Sequence, residues 1–217
     1  MNKHFRVAGR VADKLTEQGV SLQTVLKRAG LPSNLFQQTR VLVTTEQLFA
    51  FWQSIGDVCE DPMIPLRMAT ETRTEWFHPS GIASLSCDNF GAAIDHMARY
   101  KQLTCPEAID SIIDGNEWTI RFRWLQAVEN EPPALIDYCF GWMQTIGRHG
   151  SGTPVSPLRV EYVQPRSYAK QIERHFNCPI ITGATQNAII FRASDARLPF
   201  ITRNAELLEM LAPQLNL

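Results

Sequence analysis

Two short stretches carry the side chains best suited to holding a small molecule. Trp76-Phe77-His78-Pro79-Ser80 places two aromatics, an imidazole and a hydroxyl in one loop. That mix of apolar surface and few polar anchors is what ligand pockets are made of. Arg121 and Arg123 alternate with Trp118, Ile120, Phe122 and Trp124. In an extended strand this alternation puts both guanidiniums on one face, opposite the tryptophans. A guanidinium on a sheet can grip a carboxylate through two parallel hydrogen bonds. Tyr100, at the end of a helical pattern, adds a ring with a hydroxyl. The candidate ligand-binding residues are therefore Trp76, His78, Tyr100, Arg121 and Arg123, the arginines for charge, the aromatics for area and His78 as a hydrogen-bond donor. Each has a plainer reading. Trp76 and Phe77 could pin helices onto a sheet, and the two arginines could decorate a solvated face with a cross-strand partner such as Asp110. Tyr138 and Trp142 read as core.

Other chemistries lack their parts. His175 and Cys178 have the spacing of half a metal site, but no Cys-x-x-Cys or second fitting pair accompanies them, so no metal is expected. Gly147-Arg148-His149-Gly150-Ser151-Gly152 is glycine-rich yet follows a helical pattern, not a strand, so it reads as a flexible turn and not as a phosphate cradle. Gly-x-Ser-x-Gly is absent. No cofactor and no enzymatic activity are expected. The five cysteines are odd in number and scattered, as buried thiols of a reducing, cytoplasmic compartment would be.

The elements that must position these residues follow from periodicity. Residues 7–29 carry helical apolar spacing broken at Gly19, with Ser21 as a cap and Gly30-Leu31-Pro32 as a stop. Thr44 or Thr45 caps a helix with Leu48, Phe51, Trp52 and Ile55 on one side, and Ile64–Thr72 forms another short helix. Asn89 caps a helix through Leu103. The period then changes to two: Glu107–Ile113 and Glu117–Leu125 flank Asp114-Gly115-Asn116, a hairpin signal. A helix over Ala134–Arg148, a strand over Leu158–Val163, a helix over Pro165–Phe176, a strand over Ala188–Phe191 and a last helix from Glu206 complete the chain. The expected class is α+β: an N-terminal helical cluster packed on a mostly antiparallel sheet with helices grouped on one face. One domain spans 1–217, with a helical part over 1–73 and an α+β part over 74–217.

The 217 residues carry 21 basic and 22 acidic side chains and no basic run. Duplex binding needs clustered positive charge, so these residues alone should bind nucleic acid weakly or not at all. No apolar run approaches a membrane span and no apolar leader is evident.

Three blocks carry a family resemblance. They are Leu26-Lys27-Arg28-Ala29-Gly30-Leu31-Pro32 followed by Arg40-Val41; His78-Pro79-Ser80-Gly81-Ile82-Ala83 followed by Asn89-Phe90-Gly91-Ala92-Ala93 and ending at Tyr100; and Phe176-x-Cys178-Pro179 with Gly183 and Gln186-Asn187-Ala188. In this order and spacing the chain resembles the arabinose-binding-like N-terminal half of AraC-type transcription regulators. The resemblance implies an effector-binding domain that takes a small metabolite, forms a homodimer, works as part of an activator and contacts DNA only through a C-terminal helix-turn-helix half. That half is expected to be missing here, since the chain stops at Leu217. The alternative is an interaction and dimerisation module without a small-molecule ligand.

Overall fold

The computed structural model describes residues 4–70, 73 and 77–215. The N-terminal part runs β1 (Phe5–Val7), α1 (Arg10–Glu17), α2 (Leu22–Arg28), β2 (Val41–Val43), α3 (Thr45–Val58) and α4 (Ile64–Ala69). The second part runs α5 (Pro79–Leu85), α6 (Phe90–Thr104), β3 (Glu107–Asp114), β4 (Glu117–Trp124), α7 (Pro133–Ser151), β5 (Arg159–Tyr162), α8 (Ala169–Phe176), β6 (Ile180–Thr182), β7 (Ala188–Arg192) and α9 (Ala205–Leu211). The class is α+β.

Caps explain several starts. Thr44 accepts from the backbone N–H of Gln47 while the Gln47 side chain accepts from that of Thr44, a reciprocal box that satisfies two otherwise orphaned donors. Asn89 does the same job singly for α6, accepting from Ala92 N–H at 2.9 Å. At the other end of α7, Gly152 takes the left-handed conformation (φ 66°) that closes a helix most easily without a side chain.

The main sheet has the order β3-β4-β7-β5-β6. All its pairings are antiparallel except β5 with β6, so the sheet is mixed at one end. Its inner face presents Trp118, Ile120, Phe122, Val160, Tyr162, Ile189 and Phe191 to α6 and α7; the Phe90 ring meets Trp118 and Phe191 edge-on at 4.9 and 5.3 Å. Its outer face carries ion pairs, with Arg159 forked onto Glu117 at 2.6 and 2.8 Å. A second apolar cluster joins Phe5, Leu15, Leu26, Phe51, Trp52 and Ile55 with Leu135 of α7. Helix α7 is thus shared by both clusters, and its two sides fill them separately.

Besides α5, which is helical from Pro79 where a loop is expected, three elements differ from the sequence-based expectation. The stretch from Val7 was expected to be helical, but Phe5–Val7 pairs with Val41–Val43 as a two-stranded ribbon. Strands of three residues are too short to display alternation. Residues 180–182 add the parallel edge strand, again only three residues long. The third difference is the expected glycine-rich turn at 147–152, where α7 continues through Ser151. A Cβ on Gly147 would lie 2.8 Å from the Phe90 ring, and one on Gly150 would lie 2.4 Å from Phe200. These glycines are there so that α7 can approach two aromatic rings, not so that the chain can bend.

Candidate functional site

A cavity of about 220 Å³, partly open to solvent, lies between the N-terminal segment and the sheet. A water needs roughly 10–15 Å³ of such space, so the volume suits a small organic molecule and not one ordered water. The lining follows from helix and strand periodicity. From α6 come Met97, Tyr100, Lys101 and Thr104, the i, i+3, i+4, i+7 set of one face. From α7 come Leu135, Tyr138, Cys139, Trp142 and Met143, again one face. Strand β4 contributes Phe122 and Trp124, which share its inner side, and α3 contributes Leu48 and Trp52. The segment from Phe5 to Lys14 forms a further wall. Aromatic contacts hold these walls: Trp52 packs on Tyr138 at 4.7 Å, and Phe77 on Trp142 at 4.8 Å.

The polar groups gather around the start of β3. Glu107 is 1% exposed, and its Oε2 accepts from Lys101 Nζ at 2.8 Å. Burial alone would depress the Lys101 ammonium, but the adjacent Glu107 carboxylate outweighs it and raises the pKa, so the lysine is held as an ammonium. Register places Glu107 directly opposite Trp124. Glu107 Oε1 and Trp124 Nε1 are both buried, and neither has a hydrogen-bond partner among the described residues. A buried polar atom left unpaired is costly, and these two belong to neighbouring residues of one cavity wall.

Of the residues expected to bind ligand, His78 and Tyr100 lie on the cavity wall, their rings 6.2 Å apart. His78 caps α5. Its Nδ1 accepts from Ser80 N–H at 3.3 Å and meets Ser80 Oγ at 2.9 Å, which leaves the ring proton on Nε2. Burial, reinforced by the positive charges of Arg6 and Lys101, lowers its pKa to about 4, so the imidazole is neutral at physiological pH. Trp76 lies outside the described residues. Arg121 and Arg123 are brought together on the outer face of the sheet, away from the cavity. Both donate to Asp110 at 2.8 Å, and Arg121 also reaches Gln186. The Arg123 hydrogen bond is the main reason the Asp110 carboxyl titrates below its usual range. The plainer reading of these two arginines matches this geometry.

The sequence reading passed over Lys101, Glu107 and Trp124; Tyr138 and Trp142, read as core, pack against the two apolar clusters and also line the cavity. The signal for Glu107 was present. With a two-residue turn at Gly115-Asn116, counting back along the hairpin sets Glu107 opposite Trp124, on the tryptophan side.

The cavity thiols are poor nucleophiles. Burial pushes Cys105 up to about 11 and Cys139 higher still, so both are held as thiols. Among the described residues no three His, Cys, Asp or Glu side chains converge as a metal site would need. No helix among them is long and apolar enough to cross a membrane.

Residues 19–200 match the family described as the arabinose-binding domain of AraC transcription regulators, N-terminal. The chain belongs to this family. Its fold is similar to that in the crystal structure of the transcriptional regulator CdpR from Pseudomonas aeruginosa, with a TM-score of 0.66 and 13% sequence identity; the match covers 97% of this chain and 63% of that one. No curated protein sequence matches the chain. The domain is thus a ligand-binding regulatory module by family.

Proposed function

We propose that this chain is the effector-sensing part of a cytoplasmic transcription regulator, and that a small metabolite binds in the cavity between the N-terminal segment and the sheet. The observation that carries this reading is the cavity itself: aromatic walls from five elements around an ion pair of partly exposed Lys101 and buried Glu107, with unpaired polar atoms beside it. His78 and Tyr100 serve as further anchors. Binding matters for regulation only through different affinities for two states, because a ligand that binds both equally shifts nothing. The wall from β1 and α1 is the element best placed to carry that difference. It flanks the cavity from the N-terminal side and is joined to the rest by three-residue strands, by the Lys14 bond to Met68 O and by Phe5, Val11 and Leu15 in the second apolar cluster. The readout is through a DNA-reading helix-turn-helix half, and activation is the expected direction.

A thermal-shift screen against amino acids, organic acids, amines and sugars tests the reading. A hit should raise the melting temperature of the wild-type chain, and Ala8→Trp, which fills the cavity from β1–α1, should abolish that rise. Absence of any hit, or hits indifferent to Ala8→Trp, would speak for the alternative of an interaction module without a ligand.

We further propose that the regulator pairs with a second copy of itself. Ile112 and Ile113 are 48% and 57% exposed on β3, an end strand of the sheet, and such an edge is apolar material for pairing. Light scattering with Ile113→Lys checks this: the wild type should have a dimer's mass and the variant a monomer's.

A further inference from the structure

This inference deepens the proposed function and rests on the cavity being the effector site. We propose that the effector carries a zwitterionic head of the amino-acid type on an apolar body, read by the Lys101–Glu107 pair with Trp124 and His78. The pair leaves several hydrogen-bonding groups unused. Glu107 gives one oxygen to Lys101; its other oxygen is buried and unpartnered. Lys101 has three protons and gives one to Glu107, which leaves two to donate. Trp124 Nε1 is a buried donor without an acceptor, on the strand position opposite Glu107. His78, whose ring proton is on Nε2, lines the same cavity and is a further candidate donor.

One acceptor beside several donors calls for a head with a donor and acceptors close together. An ammonium meets Glu107 Oε1, and the neighbouring carboxylate takes protons from Lys101, Trp124 and His78. These would be charge-assisted hydrogen bonds, roughly twice as strong as neutral ones. A bare amine would approach Glu107 against Lys101, 2.8 Å away from the same carboxylate. A bare acid would satisfy the donors but leave Glu107 Oε1 unpaired. Arg6, Arg10 and Lys14 also line the cavity and favour anions, so the acid is the serious competitor. The body sits among Phe5, Trp52, Met97, Phe122, Tyr138 and Trp142, which offer aromatic and thioether surface and few polar groups.

Matched probes separate the possibilities. Calorimetric titrations use L-phenylalanine, 3-phenylpropionate and 2-phenylethylamine, then L-leucine, 4-methylpentanoate and 3-methylbutylamine, so the body is constant and only the head changes. At least one amino acid should bind about tenfold tighter than its acid and its amine, the worth of one good charged hydrogen bond. Glu107→Gln should weaken the amino acid about tenfold and barely change the acid; Lys101→Met should weaken both. Circular dichroism checks that each variant is folded, and Tyr100→Phe, which keeps the ion pair, should preserve the order of the three heads. Equal binding by acid and amino acid, or by amine and amino acid, overturns the head-group assignment while leaving the cavity as the effector site. Binding by none of the six overturns the assignment too, and the sensor reading is then decided by the broader thermal-shift screen.

Discussion

Asp137 offers a quantitative test of how the scaffold behind the cavity is held. It sits on α7 next to the cavity residues Tyr138 and Cys139 and is fully buried. Its Oδ2 accepts from Tyr168 OH at 2.8 Å, and its Oδ1 lies 3.7 Å from Arg166 Nε, an ion-pair distance too long for a hydrogen bond. Arg166 is itself 7% exposed, and its guanidinium lies over the Tyr162 ring at 4.2 Å. Burial raises the Asp137 pKa, with Arg166 pulling it back. Asp137→Ala would leave the Arg166 cation buried against an aromatic face with no counter-ion. Breaking a buried pair from one side costs about 3–5 kcal/mol. For a chain of this size that is a fall in melting temperature on the order of 6–20 °C. The assay is thermal and urea unfolding followed by circular dichroism. Adding Arg166→Met should recover at least about 1 kcal/mol, because an apolar replacement of both partners removes the stranded charge. A loss under about 1 kcal/mol for Asp137→Ala, the range of exposed pairs, would refute the reasoning. So would a double variant no more stable than the single one.

Three further outcomes are expected. His78 takes a proton in the unfolded chain near pH 6.5 but resists it when folded down to about 4, so stability is full above 6.5 and falls as pH drops through that window. The slope is at most about 1.4 kcal/mol per pH unit for this group, and His78→Asn, which keeps a helix-capping side chain, should flatten the curve in urea titrations at pH 7, 6 and 5. Gly147→Ala should destabilise by about 1–3 kcal/mol despite alanine's better helix propensity, because the new methyl meets Phe90 at 2.8 Å; a rise in melting temperature would contradict it. Arg123→Ala should move the melting temperature by no more than about 3 °C and leave effector affinity unchanged in a binding titration, since its side chain is 54% exposed on the far face of the sheet.

The parts of the fold that were legible are those with long periodic patterns or explicit caps. Helix α3 was announced by Thr44 and its apolar spacing, α6 by Asn89, and the β3–β4 hairpin by Asp114-Gly115-Asn116 between alternating strands. What could not be read depends on partners distant in sequence. Whether Gly147 and Gly150 end a helix or let it touch a ring is decided by Phe90 and Phe200, dozens of residues away. The ribbon of β1 and β2 exists only because 41–43 folds back onto 5–7. At the site, His78 and Tyr100 stood out by residue type, whereas Arg121 and Arg123 attracted notice for a charge that Asp110 absorbs. Glu107 looked like an ordinary strand opening. Its significance comes from burial and from the lysine on the neighbouring helix.

The central claim is that a metabolite occupies the interior between the N-terminal segment and the sheet. The most direct measurement is methyl NMR on protein labelled at its methionines while the metabolite library is added. Met97 and Met143 line the cavity, and Met210 is exposed on α9, outside that lining. The account predicts a saturable compound that shifts the Met97 and Met143 methyl signals and leaves Met210 in place. Compounds that stabilise the protein yet move only Met210, with the two cavity methyls unchanged throughout, would contradict it.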